Sequence, residues 1–477
     1  MLKPKYLHTK IIATIGPACS DKKVLSEMFK AGLDVCRLNF SHGKHEDHVA
    51  VIKTIRELNE ELETNVAILA DLQGPKLRVG EVLNNGVELV NGSTLKMVSE
   101  ECIGTAEKVY MSYEPLPKDV KPGETILVDD GKIKLEVIST NNRDEVVTKV
   151  ISGGILSSRK GVNLPNTKVS LPSLTKKDIE DVNFVLEFDI DWIALSFVRT
   201  VTDIIELKEI VKNSKKNTKV IAKIEKPEAI KEIDNIIEVT DGIMIARGDL
   251  GVETPFDEVP MLQKKIVNKC IINSKPVIIA TQMMESMITN FRPTRAEATD
   301  VANAVIESAD ALMLSGETSV GNYPIDVIKS MQKVILATEG NEFTINHDHK
   351  PNPKLPSYLP DSICYNACKM ADLTKAKALV VFTIGGASVY KLVSNRPKAN
   401  IYAFTPNKQI MTQLSLLRGV QTFYMEPEQH INEAIYHSTE ILKKYGFVSV
   451  SDIIVYVGGI PMRLRGPINT MKIAMVD

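Results

Sequence analysis

The sequence lacks several features that would place it in other classes of protein. Its 477 residues include one tryptophan and six cysteines, with no CxxC pair, so we expect neither a zinc site nor a disulfide framework. No apolar run reaches the ~18 residues of a membrane span, and the first six residues lack the apolar core of a signal peptide. The net charge of −2 provides no basic field for nucleic acid. We therefore expect a cytoplasmic protein with reduced cysteines, acting on small anions rather than on nucleic acid or membranes.

The length and the order of apolar segments predict three domains. The chain is 44% hydrophobic and 25% charged, which is typical of globular proteins, and its length is too great for one ordinary domain. Apolar strands alternate with amphipathic helices, except over 74–172, where turns and alternating residues predict an all-β insert, including a hairpin at 127–135. Eight strands are predicted in the alternating part, the number that closes a β/α barrel; they lie at 10–15, 35–38, 66–70, 192–195, 219–224, 242–246, 276–280 and 311–314.

The predicted fold is therefore α/β: a (β/α)8 TIM barrel with an inserted all-β lid domain and a C-terminal α/β domain. The barrel is expected at 1–73 and 173–345, the lid at 74–172 and the C-terminal domain at 346–477. Strands in the last of these are predicted at 378–383, 400–404, 420–424 and 452–457.

Two predicted strands end in charged residues that suit a metal and an anionic substrate. The run 220–225 ends with Lys223 and Glu225, and the run 242–249 ends with Asp249. Because the carboxyl ends of barrel strands meet on one rim, these groups would surround one point. Carboxylates suit a divalent metal, and the ammonium would face a phosphorylated or enolic substrate. The alternative is a buried structural ion pair between Lys223 and Glu225.

Other predicted strands also end in polar groups on the same rim. Together they indicate an active site more strongly than any one of them, since a single polar strand end is usually a helix cap. They are Arg37, Asn39, Ser41 and His42, then Asp71, Ser196, Thr281 and Ser315.

The set of charged and polar residues at the predicted strand ends, together with the motifs around them, resembles pyruvate kinase. The motifs are Arg-Leu-Asn-Phe-Ser-His-Gly at 37–43, Ala-Lys-Ile-Glu at 222–225, Ala-Arg-Gly-Asp-Leu-Gly-Val-Glu at 246–253 and Ala-Thr-Gln-Met-Met-Glu-Ser-Met at 280–287. The domain order is also similar, so the resemblance covers nearly the whole chain. It implies a phosphotransferase that moves the phosphoryl group of phosphoenolpyruvate to ADP, the last step of glycolysis.

The resemblance also implies a role for each site residue. Lys223 would contact the phosphoryl group, and Glu225 and Asp249 would hold Mg²⁺ or Mn²⁺. The amides of Gly248 and Asp249 would bind the substrate carboxylate. The remaining assignments are Thr281 and Ser315 for proton delivery, Arg37 for phosphate, and Asn39, His42, Arg78 and Lys160 for the nucleotide and its phosphates. Lys160 would arrive when the lid closes; alternatively it lies in a solvated turn.

One departure from the better-known family pattern concerns the monovalent cation. Many pyruvate kinases bind K⁺ through positions equivalent to Asn39, Ser41, Asp71 and Leu72, and have a glutamate where this chain has Lys76. A fixed ammonium can replace the charge of K⁺, so we expect activity without K⁺. The alternative is that Lys76 is a solvated surface lysine.

The C-terminal domain carries a loop at 383–388 that resembles the family's effector loop. Thr383, Gly386 and Ser388 would bind a sugar phosphate or a nucleotide at a helix N-terminus, with added charge from Arg463, Arg465 and Lys472. The alternative is a plain strand-to-helix turn. Residues 292–295 lie where the family makes subunit contacts, which implies a homotetramer.

Two other functions remain open from the sequence. A mutase or aldolase-type lyase acting on enolpyruvate would share the metal carboxylates but would have no use for the lid, Arg78 or Lys160. An inactive relative acting as a metabolite-binding regulator would have lost some of Lys223, Glu225, Asp249 or Thr281, and all four are present.

Overall fold

A computed structural model describes residues 7–341, 349–461 and 466–477. The first barrel segment alternates strand and helix as predicted, and Asp21 caps the first helix by accepting the amide of Lys23. Its strands are fully buried or nearly so because helices cover them outside and other strands' side chains cover them inside. Its elements are β1 (Lys10–Thr14), α1 (Lys22–Lys30), β2 (Val35–Asn39), α2 (His45–Leu62) and β3 (Ala67–Asp71).

The insert is a sheet-rich module with its own hydrophobic core. The predicted hairpin is confirmed: the strands 125–128 and 133–140 pair antiparallel, with Leu127 opposite Lys134. Asp129, Asp130 and Gly131 in its loop have positive φ angles. Besides a 3₁₀ turn at Leu83–Asn85, the elements are β4 (Val87–Leu89), β5 (Thr94–Val98), β6 (Lys108–Tyr110), α3 (Leu116–Asp119), β7 (Thr125–Val128), β8 (Ile133–Thr140), β9 (Glu145–Ser152), β10 (Gly154–Leu156) and β11 (Val162–Asn163).

The second barrel segment completes a closed barrel of eight parallel strands, in the order β1-β16-β15-β14-β13-β12-β3-β2. The predicted capping box at Thr294 and Glu297 opens α10. Besides a 3₁₀ turn at Glu285–Ile288, the elements are α4 (Lys176–Leu186), β12 (Trp192–Leu195), α5 (Val201–Asn213), β13 (Lys219–Ile224), α6 (Pro227–Lys231), α7 (Ile233–Val239), β14 (Gly242–Ala246), α8 (Arg247–Glu253), α9 (Val259–Ile272), β15 (Val277–Ala280), α10 (Arg295–Ile306), β16 (Ala311–Leu314), α11 (Gly316–Ser319) and α12 (Pro324–Glu339).

The C-terminal domain is a five-stranded α/β sheet in the order β19-β18-β17-β20-β21. The last strand pairs antiparallel with β20, and the sequence prediction missed it. The elements are α13 (Tyr358–Leu373), β17 (Ala378–Phe382), α14 (Ala387–Ser394), β18 (Asn400–Thr405), α15 (Lys408–Leu414), β19 (Val420–Tyr424), α16 (Ile431–Lys444), β20 (Ile453–Gly458) and β21 (Thr470–Met475).

The C-terminal domain packs against the amino ends of the barrel strands. Asp310, just before β16, receives two hydrogen bonds from the guanidinium of Arg396, at 2.8 and 3.1 Å. Trp192, the first residue of β12, donates its indole N–H to the carbonyl of Gln413. The carboxyl ends of the barrel strands, where the predicted site lies, are therefore at the opposite end from this domain.

The predicted class and domain order are thus observed, while the exact boundaries at 73/74 and 172/173 stay predictions. The boundary at 345/346 lies outside the described residues, as do Arg463 and Arg465. No helix in the described ranges is long and apolar enough to cross a membrane.

Candidate active site

Lys223 lies near the end of β13 and is held by groups from two other strand ends and by Glu225, which follows its own strand. Its ammonium donates to the Ser196 hydroxyl at 2.7 Å. It also forms ion pairs with Asp71 at 3.1 Å and Glu225 at 3.0 Å. Barrel closure brings these groups together, since Asp71 ends β3 and Ser196 follows β12. A buried cation with two carboxylate partners is the central feature of the rim.

The charges of this cluster support one another. Burial opposes the charge of Lys223, but Asp71 and Glu225 outweigh burial and raise the pKa of its ammonium. Burial likewise opposes the charge of Asp71, yet Lys223 and Arg37 hold the pKa of that carboxyl below its usual value. Arg37 donates from Nε to Asp71 Oδ2 at 2.7 Å. Asp71 and Lys223 are therefore both charged at neutral pH.

Glu225 and Asp249 lie close enough for the negative charge of one to act on the other. Burial raises the pKa of Glu225, and the charge of Asp249 raises it further, against the lowering effect of Lys223. A divalent cation between two such carboxylates would relieve the repulsion, so the residues present fit a metal. Among the described residues, no group of three or more His, Cys, Asp or Glu is arranged around a metal position. Two carboxylates with water and substrate oxygens are the usual ligands of Mg²⁺.

Gly248 and Thr281 form a second contact at the rim. Gly248 lies in the first turn of α8, and its amide donates to Thr281 Oγ1 at 2.7 Å. Thr281 has φ +70° and Gln282 +55°, a conformation that costs a β-branched residue free energy and that often marks functional sites. Ser315 follows the adjacent strand β16, and its amide donates to Glu317 Oε2 at 2.6 Å.

Basic side chains gather on the side of the rim that faces the insert. Burial lowers the pKa of His42, and the nearby charges of Arg78, Lys76 and Arg37 lower it further. Arg78, Lys76 and Arg37 therefore form one positive region around His42, as a polyphosphate site requires. Arg78 also donates to the carbonyl of Arg159 at 3.1 Å.

Two predicted nucleotide residues have local partners. Lys160 forms an ion pair with Asp129 of the insert at 2.9 Å. Asn39 accepts the amide of Ser41 at 3.2 Å, which places two of the four monovalent-cation candidates in one turn at the end of β2. The carbonyl of Leu72 accepts the Ser196 hydroxyl at 2.6 Å.

Lys76 lies where the insert leaves the barrel. It lines a small cavity between the two domains, together with Asp130 and Gly161 of the insert and Phe197 and Asp249 of the barrel. Lys76 is nevertheless an exposed residue, so the structure leaves open both its predicted role and the alternative of a solvated surface lysine.

Comparisons with known proteins agree with this geometry. The family model described as pyruvate kinase, barrel domain, matches residues 6–328, and the model described as pyruvate kinase, alpha/beta domain, matches 361–474. The chain belongs to the pyruvate kinase family. A pyruvate kinase of Corynebacterium glutamicum is 40% identical over 98% of each chain, and one of Mycobacterium tuberculosis is 39% identical over 97% of each. A crystal structure of a pyruvate kinase from Cryptosporidium parvum superposes with a TM-score of 0.90 at 34% identity, covering 99% of this chain and 96% of that one.

Membership of the pyruvate kinase family makes this chain a phosphotransferase. The loop at 383–388, which resembles the family's effector loop, borders a cavity of about 670 Å³. Thr383 Oγ1 accepts the amide of Gly386, which has φ +80°, and Ser388 also lines the cavity. Lys215 and Lys216 of the barrel line the opposite side. Lys472 is not part of this lining; its ammonium contacts Asn432 at 3.2 Å.

Sequence reasoning missed several groups at the site. Ser196 was placed on the rim without a role, yet it bridges Lys223 and the carbonyl of Leu72. Lys226 and Glu253 were not singled out, although they form a buried ion pair at 2.5 Å. The only available signal was their position: Lys226 directly follows Glu225, and Glu253 closes the motif at 246–253.

Proposed function

We propose that this chain transfers the phosphoryl group of phosphoenolpyruvate to ADP, giving pyruvate and ATP, without a requirement for K⁺. The observation that carries the proposal is the buried ammonium of Lys223, held between Asp71 and Glu225 with Asp249 close by. A phosphoryl group in transfer carries dense negative charge, so its catalysis needs positioned cations more than covalent chemistry. Family membership supports the same reaction.

The proposed mechanism assigns each residue a physical task. The Lys223 ammonium, kept charged by its carboxylates, would stabilise negative charge on the phosphoryl group in transit. Arg37 would assist it from the neighbouring strand. Glu225 and Asp249 would hold Mg²⁺ or Mn²⁺, which as a Lewis acid supplies positive charge to phosphoryl and enolate oxygens.

The substrate carboxylate would bind at the start of α8, at the amides of Gly248 and Asp249. The Thr281 hydroxyl now accepts the Gly248 amide, so a carboxylate binding there would release this hydroxyl. Thr281 would then be free to organise, with Ser315, the delivery of a proton to the enolate. Binding of the substrate carboxylate would thus prepare the site for protonation of the enolate.

The positive region formed by Arg78, Lys76 and Arg37 would receive the nucleotide phosphates, with His42 and Asn39 beside it. Lys160 would leave Asp129 and join them when the insert closes over the barrel, excluding water. Lys76 contributes to the field at His42, and its ammonium would supply the charge that K⁺ would otherwise bring through Asn39, Ser41, Asp71 and Leu72. This supports activity without K⁺.

We also propose regulation at the cavity beside Thr383, Gly386 and Ser388. The exposed ammonium of Lys215 from the barrel faces the same cavity, which favours a phosphorylated ligand such as a sugar phosphate or nucleotide. Isothermal titration calorimetry with these two ligand classes tests this, and no binding by the wild type would reject it. A cytoplasmic homotetramer, built through 292–295, is proposed from the family alone and is tested by light scattering.

The reaction is tested by measuring pyruvate formation from phosphoenolpyruvate with and without ADP, in Na⁺, K⁺ and tetramethylammonium buffers. We expect strict ADP dependence, equal rates in the three salts, and loss of activity in Lys223→Met. Pyruvate formation without ADP would favour a lyase, and binding without turnover would favour a regulator. A large stimulation by K⁺ would reject the role of Lys76 but leave the reaction intact.

A further inference from the structure

One carboxylate joins the insert to the metal edge of the barrel. Glu253 Oε1 accepts Asn163 Nδ2 at 2.8 Å and Lys226 Nζ at 2.5 Å. All three residues are more than nine-tenths buried. Glu253 Oε2 is also buried and has no hydrogen-bond partner among the described residues. A charged group buried with one oxygen unpaired is costly, which suggests that its position serves more than stability.

The three residues come from three separate elements. Asn163 ends β11, where the insert returns to the barrel, Glu253 ends α8, and Lys226 caps the start of α6. Asp249 lies one turn before Glu253 on α8, and Glu225 directly precedes Lys226. The carboxylate of Glu253 therefore links the insert to both proposed metal ligands through the backbone of their own elements.

The link bears on metal binding because Lys226 is positively charged and lies near the proposed metal ligands. Its ammonium lies 5.9 Å from the centre of the Phe197 ring, and the Phe197 amide donates to Glu225 Oε2 at 2.8 Å. Lys226 also lines the same small cavity as Asp249. Without Glu253, the carboxylates available to this ammonium in the cavity would be those of Asp249, a proposed metal ligand, and Asp130 of the insert.

We propose that Glu253 is a positioning residue that neutralises Lys226, keeping it from competing with the metal, and that anchors the returning strand of the insert through Asn163. The proposal rests on the proposed metal site at Glu225 and Asp249. It assigns Glu253 no contact with substrate. Its effect is on the geometry and charge of groups that do make such contacts.

The first experiment measures Mn²⁺ binding to the full-length, substrate-free protein by electron paramagnetic resonance of free Mn²⁺, so that no turnover is involved. Glu253→Gln keeps the shape and leaves Lys226 without a counter-charge. We expect Mn²⁺ affinity to fall by at least about tenfold, because an uncompensated positive charge near the site repels the cation and solvent screens part of this repulsion. The double variant Glu253→Gln/Lys226→Met removes both charges and should bind Mn²⁺ within about twofold of wild type.

Glu307→Gln is the matched control. Glu307 is also a buried carboxylate that accepts a lysine, Lys264, and an amide, that of Gln263, but it follows α10 near the amino end of the barrel strands. Its loss should leave Mn²⁺ affinity unchanged. An unchanged affinity in Glu253→Gln, or a double variant as weak as the single one, would overturn the charge role.

The anchoring role is tested by hydrogen–deuterium exchange. Asn163→Ala removes one hydrogen bond to a carboxylate, and exchange in the segment 160–164 should become about tenfold faster with unchanged Mn²⁺ affinity. Unaltered exchange would overturn this role. If the wild type binds no Mn²⁺, both the proposed metal site and this inference are rejected. If the wild type binds Mn²⁺ and the variants bind it equally well, only this inference is rejected.

Discussion

Replacing Lys223 by methionine tests the central claim about the site. Methionine fills a similar volume but removes the charge that lies 3.1 Å from Asp71 and 3.0 Å from Glu225. At an effective dielectric constant of roughly 20, each contact contributes about 5 kcal/mol of gross attraction. Most of this offsets the cost of burying the charges, so the net loss on breaking the cluster is about 3–5 kcal/mol.

This loss should appear in both stability and rate. The melting temperature of the barrel should fall by about 5–10 °C, and Mg²⁺ should raise it more in Lys223→Met than in wild type, because the metal partly replaces the missing charge. The rate should fall by at least about 10³-fold, as expected for loss of a group that stabilises transition-state charge. Differential scanning calorimetry and coupled pyruvate assays measure the two effects.

A control separates the site from general charge loss. Lys264→Met also breaks an ion pair with a buried carboxylate, that of Glu307, but at the amino end of the barrel strands. We expect it to lower the melting temperature modestly and to leave the rate unchanged. If Lys223→Met kept a rate within about tenfold of wild type, or if Lys264→Met lost as much, the assigned role of the Lys223 ammonium would be refuted.

Three further predictions use other parts of the molecule. Lys76→Glu should make the rate depend on K⁺, with about a tenfold or greater loss in Na⁺ that K⁺ restores; equal rates in both salts would contradict the role of Lys76. Burial and Arg418 lower the pKa of His8 below 6.5, so its contribution to stability is present above about pH 6.5 and is lost as the pH falls through the lowered value. When the pH is lowered from about 7.5 to 5.5, the melting temperature of His8→Gln should therefore fall less than that of the wild type. Finally, Cys102 is the one cysteine that is not buried. The thiolate is the reactive form of cysteine, and burial disfavours it. Mass spectrometry after brief alkylation of the native protein should therefore find label on Cys102 and little on the other cysteines.

The sequence alone determined the elements and their class. The run 219–224 is apolar because helices cover one side of each barrel strand and packed side chains fill the other, so its pattern reveals a buried strand. The hairpin at 127–135 and the capping box at Thr294 are likewise local features, set by residues a few positions apart. The rule that polar strand ends meet on one rim then placed Lys223, Glu225 and Asp249 together before any coordinates.

Only the tertiary structure decided which side chains became partners. Lys223 is held by Asp71 and Ser196, groups far away in sequence that meet because the barrel closes in one register. Lys160 pairs with Asp129, and Glu253 joins Lys226 to Asn163; nothing in the local pattern of these residues indicates either choice. Partner choice depends on distances of a few ångströms between separate elements, and these distances follow from packing the whole chain rather than from the periodicity of any one segment.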